Sequence, residues 1–375
     1  MIKRLKPGGL VDPDPSEMIA RGPDSSVSMI YELDPLGDQR WQSFVERHPN
    51  ASVFHSAGWL EAVRRTYGYQ PVVFTTSSPT DELRNGLLFC QVRSWLTGPR
   101  MVSLPFSDFC EPLCDSGEFD VLIRHLQSTR DQEDWKYLEI RPVDGDFECE
   151  ALAAGFRIRD RFLHHRVSLQ PSVEDLLLSF HKDSVQRRLQ HAERAGLDEQ
   201  VGRSEKLLKD FYGLFMLTRR RHSVPPQSQG WFRNVIQCMG ESLAIRAAYK
   251  NEIPIAAVMT LRFRDTVYYK YGCSNARFHN LGAIPFLLWR AMCAAKSSGA
   301  TEFDLGRTEL ENTGLITFKN KWARDPRELT YWRFPGSPDD SVRAKWGMKL
   351  IKTVFSLMPN RLLTATGRFL YPHIG

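Results

Sequence analysis

Apolar positions along the chain repeat with two different periods. Alternation or short apolar runs predict strands at Ser28–Leu33, Pro71–Thr76, Gly86–Arg93, Met101–Leu104 and Trp135–Arg141. Pro35–His48, Gly58–Thr66 and Asp120–Ser128 carry the spacing of amphipathic helices instead. Three more helices are predicted at Val173–Ala195, Glu205–Arg221 and Trp231–Met239, with Gly196 as the cap that ends the first. A meander follows: Leu243–Tyr249, Ile253–Phe263 and Thr266–Cys273, separated by turns at Lys250-Asn251-Glu252 and Arg264-Asp265. Ala283–Ser298 is almost wholly apolar, with Pro285 in its first turn and Gly299 just past its end, which predicts a buried helix. A strand at Glu302–Gly306 comes directly after it.

The pattern therefore runs through twice. It predicts an α/β (α+β) chain of two tandem units, residues 28–167 and 168–335, with mixed, mostly antiparallel sheets flanked by helices. Meander, buried helix and strand, in that order, are the layout of an acetyltransferase-like (GNAT) core, and the first unit looks like a less complete copy. No short internal repeat is present. Residues 1–27, with Pro7, Pro13, Pro15 and Pro23 among Asp, Ser and Gly, lack the apolar stretch of an export signal and are expected to be a disordered leader. Residues 336–375 form a basic amphipathic tail. In it Trp346, Leu350, Val354 and Leu357 share one helical face, with Arg343, Lys345, Lys349 and Lys352 around them. This pattern fits packing on the second unit and equally fits peripheral membrane contact through residues 341–370.

Composition narrows the class. A chain of 375 residues, 42% hydrophobic and 11% aromatic, is enough for two cores. No uncharged apolar run reaches the roughly 18 residues of a membrane-spanning helix. The seven cysteines are odd in number and scattered, which suits a reducing, cytoplasmic setting, with the tail adding the inner face of the membrane as a place of work. Cys110 and Cys114 have no second pair or nearby His, so no metal is expected. The net charge of +6 favours anionic partners. The basic clusters at Lys182–Arg194 and Arg219-Arg220-Arg221-His222 lie on helices with apolar faces and read as solvated surface, so DNA is not an expected partner. No Gly-x-Ser-x-Gly elbow occurs, and no cysteine has a catalytic setting.

Two stretches carry candidate chemistry. The turn Arg277-Phe278-His279-Asn280-Leu281-Gly282-Ala283 precedes the buried helix, where backbone N–H groups can cradle a pyrophosphate. Arg277, Asn280, Gly282 and Ala283 are its candidate cofactor-binding residues, with Asn280 where a first glycine belongs, a residue that tolerates a left-handed backbone. A plain helix-start turn explains the same residues. The second stretch is Phe303-Asp304-Leu305-Gly306-Arg307, followed by Phe318-Lys319-Asn320-Lys321-Trp322 at what looks like a helix start. Asp304, Arg307 and Lys319 are candidates for holding a phosphate or carboxylate or for stabilising a tetrahedral intermediate. A structural Asp304–Arg307 pair and a solvated Lys319 are the plain alternatives. Tyr271 and His279 are acid and base candidates, against core filling and a surface turn. Asp108, in an aromatic loop, is a candidate for an acceptor hydroxyl, against capping its own turn.

Gly58-Trp59-Leu60, the helix end from Arg187-Arg188 to Ala192-Glu193-Arg194-Ala195-Gly196, Phe303-Asp304-Leu305-Gly306-Arg307 and Phe318-Lys319-Asn320-Lys321-Trp322 together resemble the Fem-type proteins. That family spans aminoacyltransferases of peptidoglycan bridge formation and acetyltransferase-like enzymes of cellulose and exopolysaccharide clusters. The resemblance covers about residues 28 to 335. It implies two acetyltransferase folds side by side with a substrate cleft, and a substrate-binding or charge-stabilising role for Arg307 and Lys319. The implied activity is acyl transfer to an amine or hydroxyl of a glycan or lipid-linked precursor, and the turn at Arg277–Ala283 points to acyl-CoA as the donor. An aminoacyl-tRNA donor acting on a peptidoglycan precursor, and a non-catalytic subunit of exopolysaccharide assembly, remain the alternatives. The chain lacks the inserted coiled-coil arm of some members.

Overall fold

A computed structural model describes residues 29–143, 145–336, 355 and 358–374. Twelve strands occupy Tyr31–Leu33 (β1), Gln70–Thr75 (β2), Leu87–Val92 (β3), Arg100–Val102 (β4), Leu138–Ile140 (β5), Arg157–Ser168 (β6), Asp198–Gly202 (β7), Leu243–Lys250 (β8), Ile253–Phe263 (β9), Thr266–Ser274 (β10), Glu302–Glu309 (β11) and Arg327–Phe334 (β12). The helices are Gln39–Arg47 (α1), Ala57–Tyr67 (α2), Ser116–Gln132 (α3), Glu148–Ala153 (α4), Val173–Ser179 (α5), Arg187–Arg194 (α6), Glu205–Arg221 (α7), Gln229–Met239 (α8), Ala283–Ser297 (α9), Thr313–Lys319 (α10) and Asn360–Ile374 (α11). The expected leader lies outside the described residues, as does most of 341–358.

The strands join in one continuous sheet, ordered β1-β2-β3-β4-β5-β12-β6-β11-β10-β9-β8-β7 and mostly antiparallel. Two neighbouring pairs are parallel, β4 with β5 in the first half and β10 with β11 in the second. At the centre the halves exchange strands. β6, which ends the first half in chain order, pairs with β11 of the second, while β12 returns to pair with β5 of the first. β6 and β12 pair with each other, closing the seam. A boundary near residue 167 thus falls within β6, and by pairing the two halves are interlocked.

Helices cover both faces. On one face α1 and α2 from the first half and α7 and α8 from the second bury Trp41, Phe54, Trp59, Phe211, Trp231 and Phe232 in a single core that crosses the seam. The opposite face carries two separate cores. Under α3 and α4 lie Phe74, Phe89, Phe119 and Phe156, and under α5, α6 and α9 lie Phe180, Leu189, Leu287 and Phe303. The single helix expected over Val173–Ala195 is broken. Phe180 turns inward against Trp322, and the His181 N–H leaves the helix to bond Lys321 O at 3.1 Å. α11 packs across the seam: Tyr69 donates to Tyr371 O in α11, and the Tyr371 hydroxyl donates to Pro225 O, both at 3.1 Å.

Candidate functional site

β10 and β11 stay paired only through Thr266↔Glu302, Val267↔Phe303 and Tyr268↔Asp304. Beyond these residues the strands separate, and each carries a register shift at that point. One lies between Tyr269 and Tyr271 against β9, the other between Asp304 and Arg307 against β6. The second bulge turns on Gly306, whose φ of +72° is left-handed and whose missing Cβ would sit 2.9 Å from an Asp108 carboxylate oxygen. An acid and a base pin this bulge from two sides. Asp304 accepts from Gly306 N–H at 2.6 Å and from His164 Nε2 at 2.9 Å. Lys319 Nζ donates to Gly306 O at 2.8 Å and Arg307 O at 3.0 Å.

Burial alone would raise the pKa of Asp304, but the His164 imidazole beside it holds the carboxyl below its ordinary value. Asp304 is only 1% exposed and already saturated, so it braces the bulge and is not open to a substrate as the sequence suggested. Nor does it form the plain pair with Arg307. The Arg307 guanidinium is carried over the Phe162 and Tyr331 rings, at 4.1 and 5.1 Å from their centroids. Lys319 ends α10 instead of starting a helix and is buried. Burial pushes its pKa down to about 8, with Arg307 and Lys270 acting in the same sense and Asp108 and Asp304 against it.

Around the bulge the first half contributes Asp108, from the loop after β4. Its side chain accepts from Lys270 Nζ at 2.9 Å and lies 4.0 Å from Arg307 Nε, and its backbone oxygen accepts from Tyr331 OH at 2.7 Å. Asp108 is therefore tied to the second half. Lys270 occupies the β10 bulge with its ammonium over Phe54 and Trp59, and burial pushes its pKa down against the pull of Asp108. Sequence reasoning missed Lys270 and His164. Lys270 had a visible signal, a basic side chain inside a strand otherwise set for burial, which must find a partner, whereas His164 lies on β6, whose sequence shows no strand pattern.

On the α5, α6 and α9 side of the opening lies a cavity of about 400 Å³. Ile255, Tyr269, Phe278, Ile284 and Phe318 give it apolar walls, and Arg188, Arg221, His279 and Lys321 give it cationic ones. No Asp or Glu is among the described residues that line it. Gly282 and Ala283 reach the cavity as the start of α9, whose N-terminus has no side-chain cap. Arg277 and Asn280 are exposed and do not line it. The left-handed residue of the turn is Gly282, with φ +70°, in place of Asn280, and a Cβ there would also come 2.8 Å from Arg188 O.

His279 Nε2 lies 2.9 Å from Ser274 Oγ and 3.5 Å from Arg221, while Arg188 donates to its backbone oxygen at 3.3 Å. Burial, then Arg221 and Arg188, lower its pKa. Tyr271 is on the other face. Its hydroxyl accepts from Trp231 Nε1 at 2.9 Å among Phe211, Phe215 and Phe232, so core filling describes it. The β10 bulge shifts the parity of the strand, and Tyr269 is the tyrosine that faces the cavity. Burial raises the pKa of its phenol.

The description of the acetyltransferase (GNAT) domain family fits residues 179–319, the segment that builds the cavity, the bulge and Lys319. No curated protein matches the chain in sequence. Among solved structures, FemX is similar over 86% of this chain and 100% of its own, with 14% identity and a TM-score of 0.64. The lysylphosphatidylglycerol synthetase (L-PGS) structure from Bacillus licheniformis is similar over 85% of this chain and 98% of its own, at 15% identity and 0.55. A tandem GNAT protein from the clavulanic acid pathway aligns over 83% of this chain and 99% of its own, at 10% identity and 0.51. Residues 179–319 thus match the acetyltransferase (GNAT) domain family, and the chain as a whole shares the GNAT fold of FemX and the L-PGS structure.

Proposed function

We propose that this protein transfers an acyl group from acyl-CoA to an amine or hydroxyl of a surface-polysaccharide or lipid-linked precursor. The observation that carries the reading is the cavity, which is cationic, free of carboxylates among its described lining, and walled in part by Tyr269, the β10 residue just past the last β10–β11 pair. Arg188, Arg221, Lys321 and the uncapped start of α9 suit the phosphates of coenzyme A, and His279 with Ser274 fits that binding end better than a proton-transfer step. The apolar walls suit the pantetheine arm and a neutral or anionic acyl group. An aminoacyl donor would bring an α-ammonium to a wall with no acid to receive it. A second reading, an aminoacyl-tRNA donor, draws on the basic α6 with Arg187, Arg188 and Arg194 beside the cavity.

In the proposed reaction the acceptor's nitrogen or oxygen attacks the thioester carbonyl from the Asp108 side, forming the new C–N or C–O bond. Two N–H groups of the Lys319 ammonium are spent on Gly306 O and Arg307 O, which leaves the third for the oxyanion. Collapse breaks the C–S bond. Tyr269, kept protonated by its raised pKa, is placed to donate a hydrogen bond to the departing sulfur, and the proton lost by the acceptor reaches the thiolate by way of solvent. Arg307, half-buried on its two rings, is placed to hold an anionic group of the acceptor.

A thermal-shift titration with coenzyme A and acetyl-CoA tests the donor, since a ligand that binds only the folded chain raises Tm by mass action. The expected result is a saturable rise that Arg221→Ala weakens. No rise at millimolar ligand would overturn the acyl-CoA reading and leave the aminoacyl-tRNA one.

A further inference from the structure

We propose that the loop between β3 and β4 and the last helix, α11, form one docking surface for an anionic lipid bilayer. Trp95 and Leu96 at the loop tip are 75% and 48% exposed, and on α11 Leu362, Phe369 and Ile374 are 57%, 52% and 55% exposed. Trp95 of the loop and Phe369 of the helix meet. The Trp95 ring lies 6.0 Å from Phe369 and 5.4 Å from His373, so loop and helix present a single apolar and aromatic patch.

This exposure is built in. His373 O accepts from Thr97 Oγ1 at 2.7 Å and from Arg100 at 2.8 Å, and Ser94 Oγ lies 3.0 Å from His373 Nδ1. Leu363 and Gly367 on the opposite stripe of α11 are buried against the fold, Gly367 close to Pro226. A helix that already buries one stripe and still leaves Leu362 and Phe369 in water on another has a second apolar surface to satisfy. Tryptophan and phenylalanine at the tip of such a surface suit the headgroup boundary, where an aromatic ring gains from lipid and water together.

Charge selects the occupant. Arg368 on α11 is exposed, and Arg93, which meets Glu133 at 3.9 Å, stands at the start of the loop. The sequence just before α11 carries Arg343, Lys345, Lys349 and Lys352, and the whole chain has a net charge of +6. Covering the patch with that basic segment, or with a second copy, would set positive charge against positive charge. An anionic bilayer complements both.

Vesicle flotation of the full chain is the test, comparing phosphatidylglycerol-containing vesicles with pure phosphatidylcholine, at low and high salt. Binding to the anionic vesicles that weakens with salt is expected, and Trp95→Glu with Phe369→Glu should lower it by about tenfold or more. Both side chains are exposed, so the acetyl-CoA thermal shift, or the bare Tm if there is none, reports that the variant is folded independently of donor chemistry. Equal binding by wild type and variant overturns the proposal, as does no binding by wild type. Loss of binding only on deleting 337–357, with the double variant unaffected, assigns the contact to that segment and overturns it too. A concentration-dependent dimer that the double variant abolishes overturns it in favour of self-association.

Discussion

The two parallel strand pairs, β4–β5 in the first half and β10–β11 in the second, begin from the same arrangement and end differently. β5 carries Glu139, paired in register with Arg333 of the exchanged strand β12, and β11 carries Asp304, paired in register with Arg166 of the exchanged strand β6. In the first half Arg141 follows Glu139 by two residues, folds back to it at 2.8 Å and donates to Leu104 O at the same distance. With Arg333 at 2.6 Å, the acid is locked between two guanidiniums. In the second half Gly306 lengthens that spacing by one. Arg307 is carried away over Phe162 and Tyr331, His164 takes the place beside the acid, and the strands open onto a cavity. A single inserted residue with a left-handed backbone thus separates a lock from an opening.

The comparison breaks most visibly at Glu139. Although burial opposes ionisation, Arg141 and Arg333 pull its pKa down to about 2, from an ordinary 4.5. Glu139→Ala leaves two largely buried guanidiniums without their acid, and an expected loss of about 3–5 kcal/mol should appear in denaturant unfolding. The donor-induced thermal shift should survive under conditions where the variant folds. Because the folded-state pKa is depressed, this stabilisation is complete above the unfolded value and drains away as pH falls from about 4.5 toward 2. The wild-type acid limb should flatten in the variant.

Lys319→Ala reports on the open half. Turnover, followed as free thiol released in the presence of acceptor, is expected to fall by about 10²–10³-fold, the cost of one oxyanion donor. Wild-type turnover should itself decline as pH rises through about 8, where the ammonium loses its proton. Stability should move the other way. Between pH 8 and the ordinary 10.5 the unfolded chain holds a proton that the folded one has released, so the folded state gains as pH rises. A turnover profile unchanged in Lys319→Ala would remove this lysine from the chemistry.

The smallest expected effect is at the inserted residue. Gly306→Ala forces a side chain into a left-handed conformation and toward Asp108, at an expected cost of about 1–2 kcal/mol in unfolding free energy. Turnover should fall further than that loss of stability explains, because the bulge aims both Arg307 and the carbonyls that hold Lys319. If stability and turnover are both unchanged, the bulge does not make the difference between the halves.

Much of the second half was legible because its strands are buried on regular faces. The meander β8–β10, the apolar α9 and the start of β11 follow from periodicity alone. β6 and β12 were not legible. Arg157, Arg159, Asp160 and Arg161 in β6, and Arg327 and Glu328 in β12, satisfy their charges partly within and across the seam, as in Arg159 to Asp160 and Arg161 to Glu328. A strand stabilised that way shows no hydrophobic alternation. At the site, Arg307, Lys319, Gly282 and His279 were placed near the opening by residue type and spacing. The exchange of Tyr269 for Tyr271 came from a bulge, which alters parity without leaving a mark in the sequence, and the pairing of Asp304 with His164 depends on a contact between distant strands.

The strand exchange also bears on how the chain reaches this state. Trp332 must find Ile140, and His164 must find Arg327, across half or more of the described length, so loop-closure entropy weighs most against the centre of the sheet. During synthesis the first half emerges with β5 lacking its outer neighbour and β6 lacking both. Until β11 and β12 arrive, those are open sheet edges, the surfaces through which a nascent chain can pair with the wrong copy.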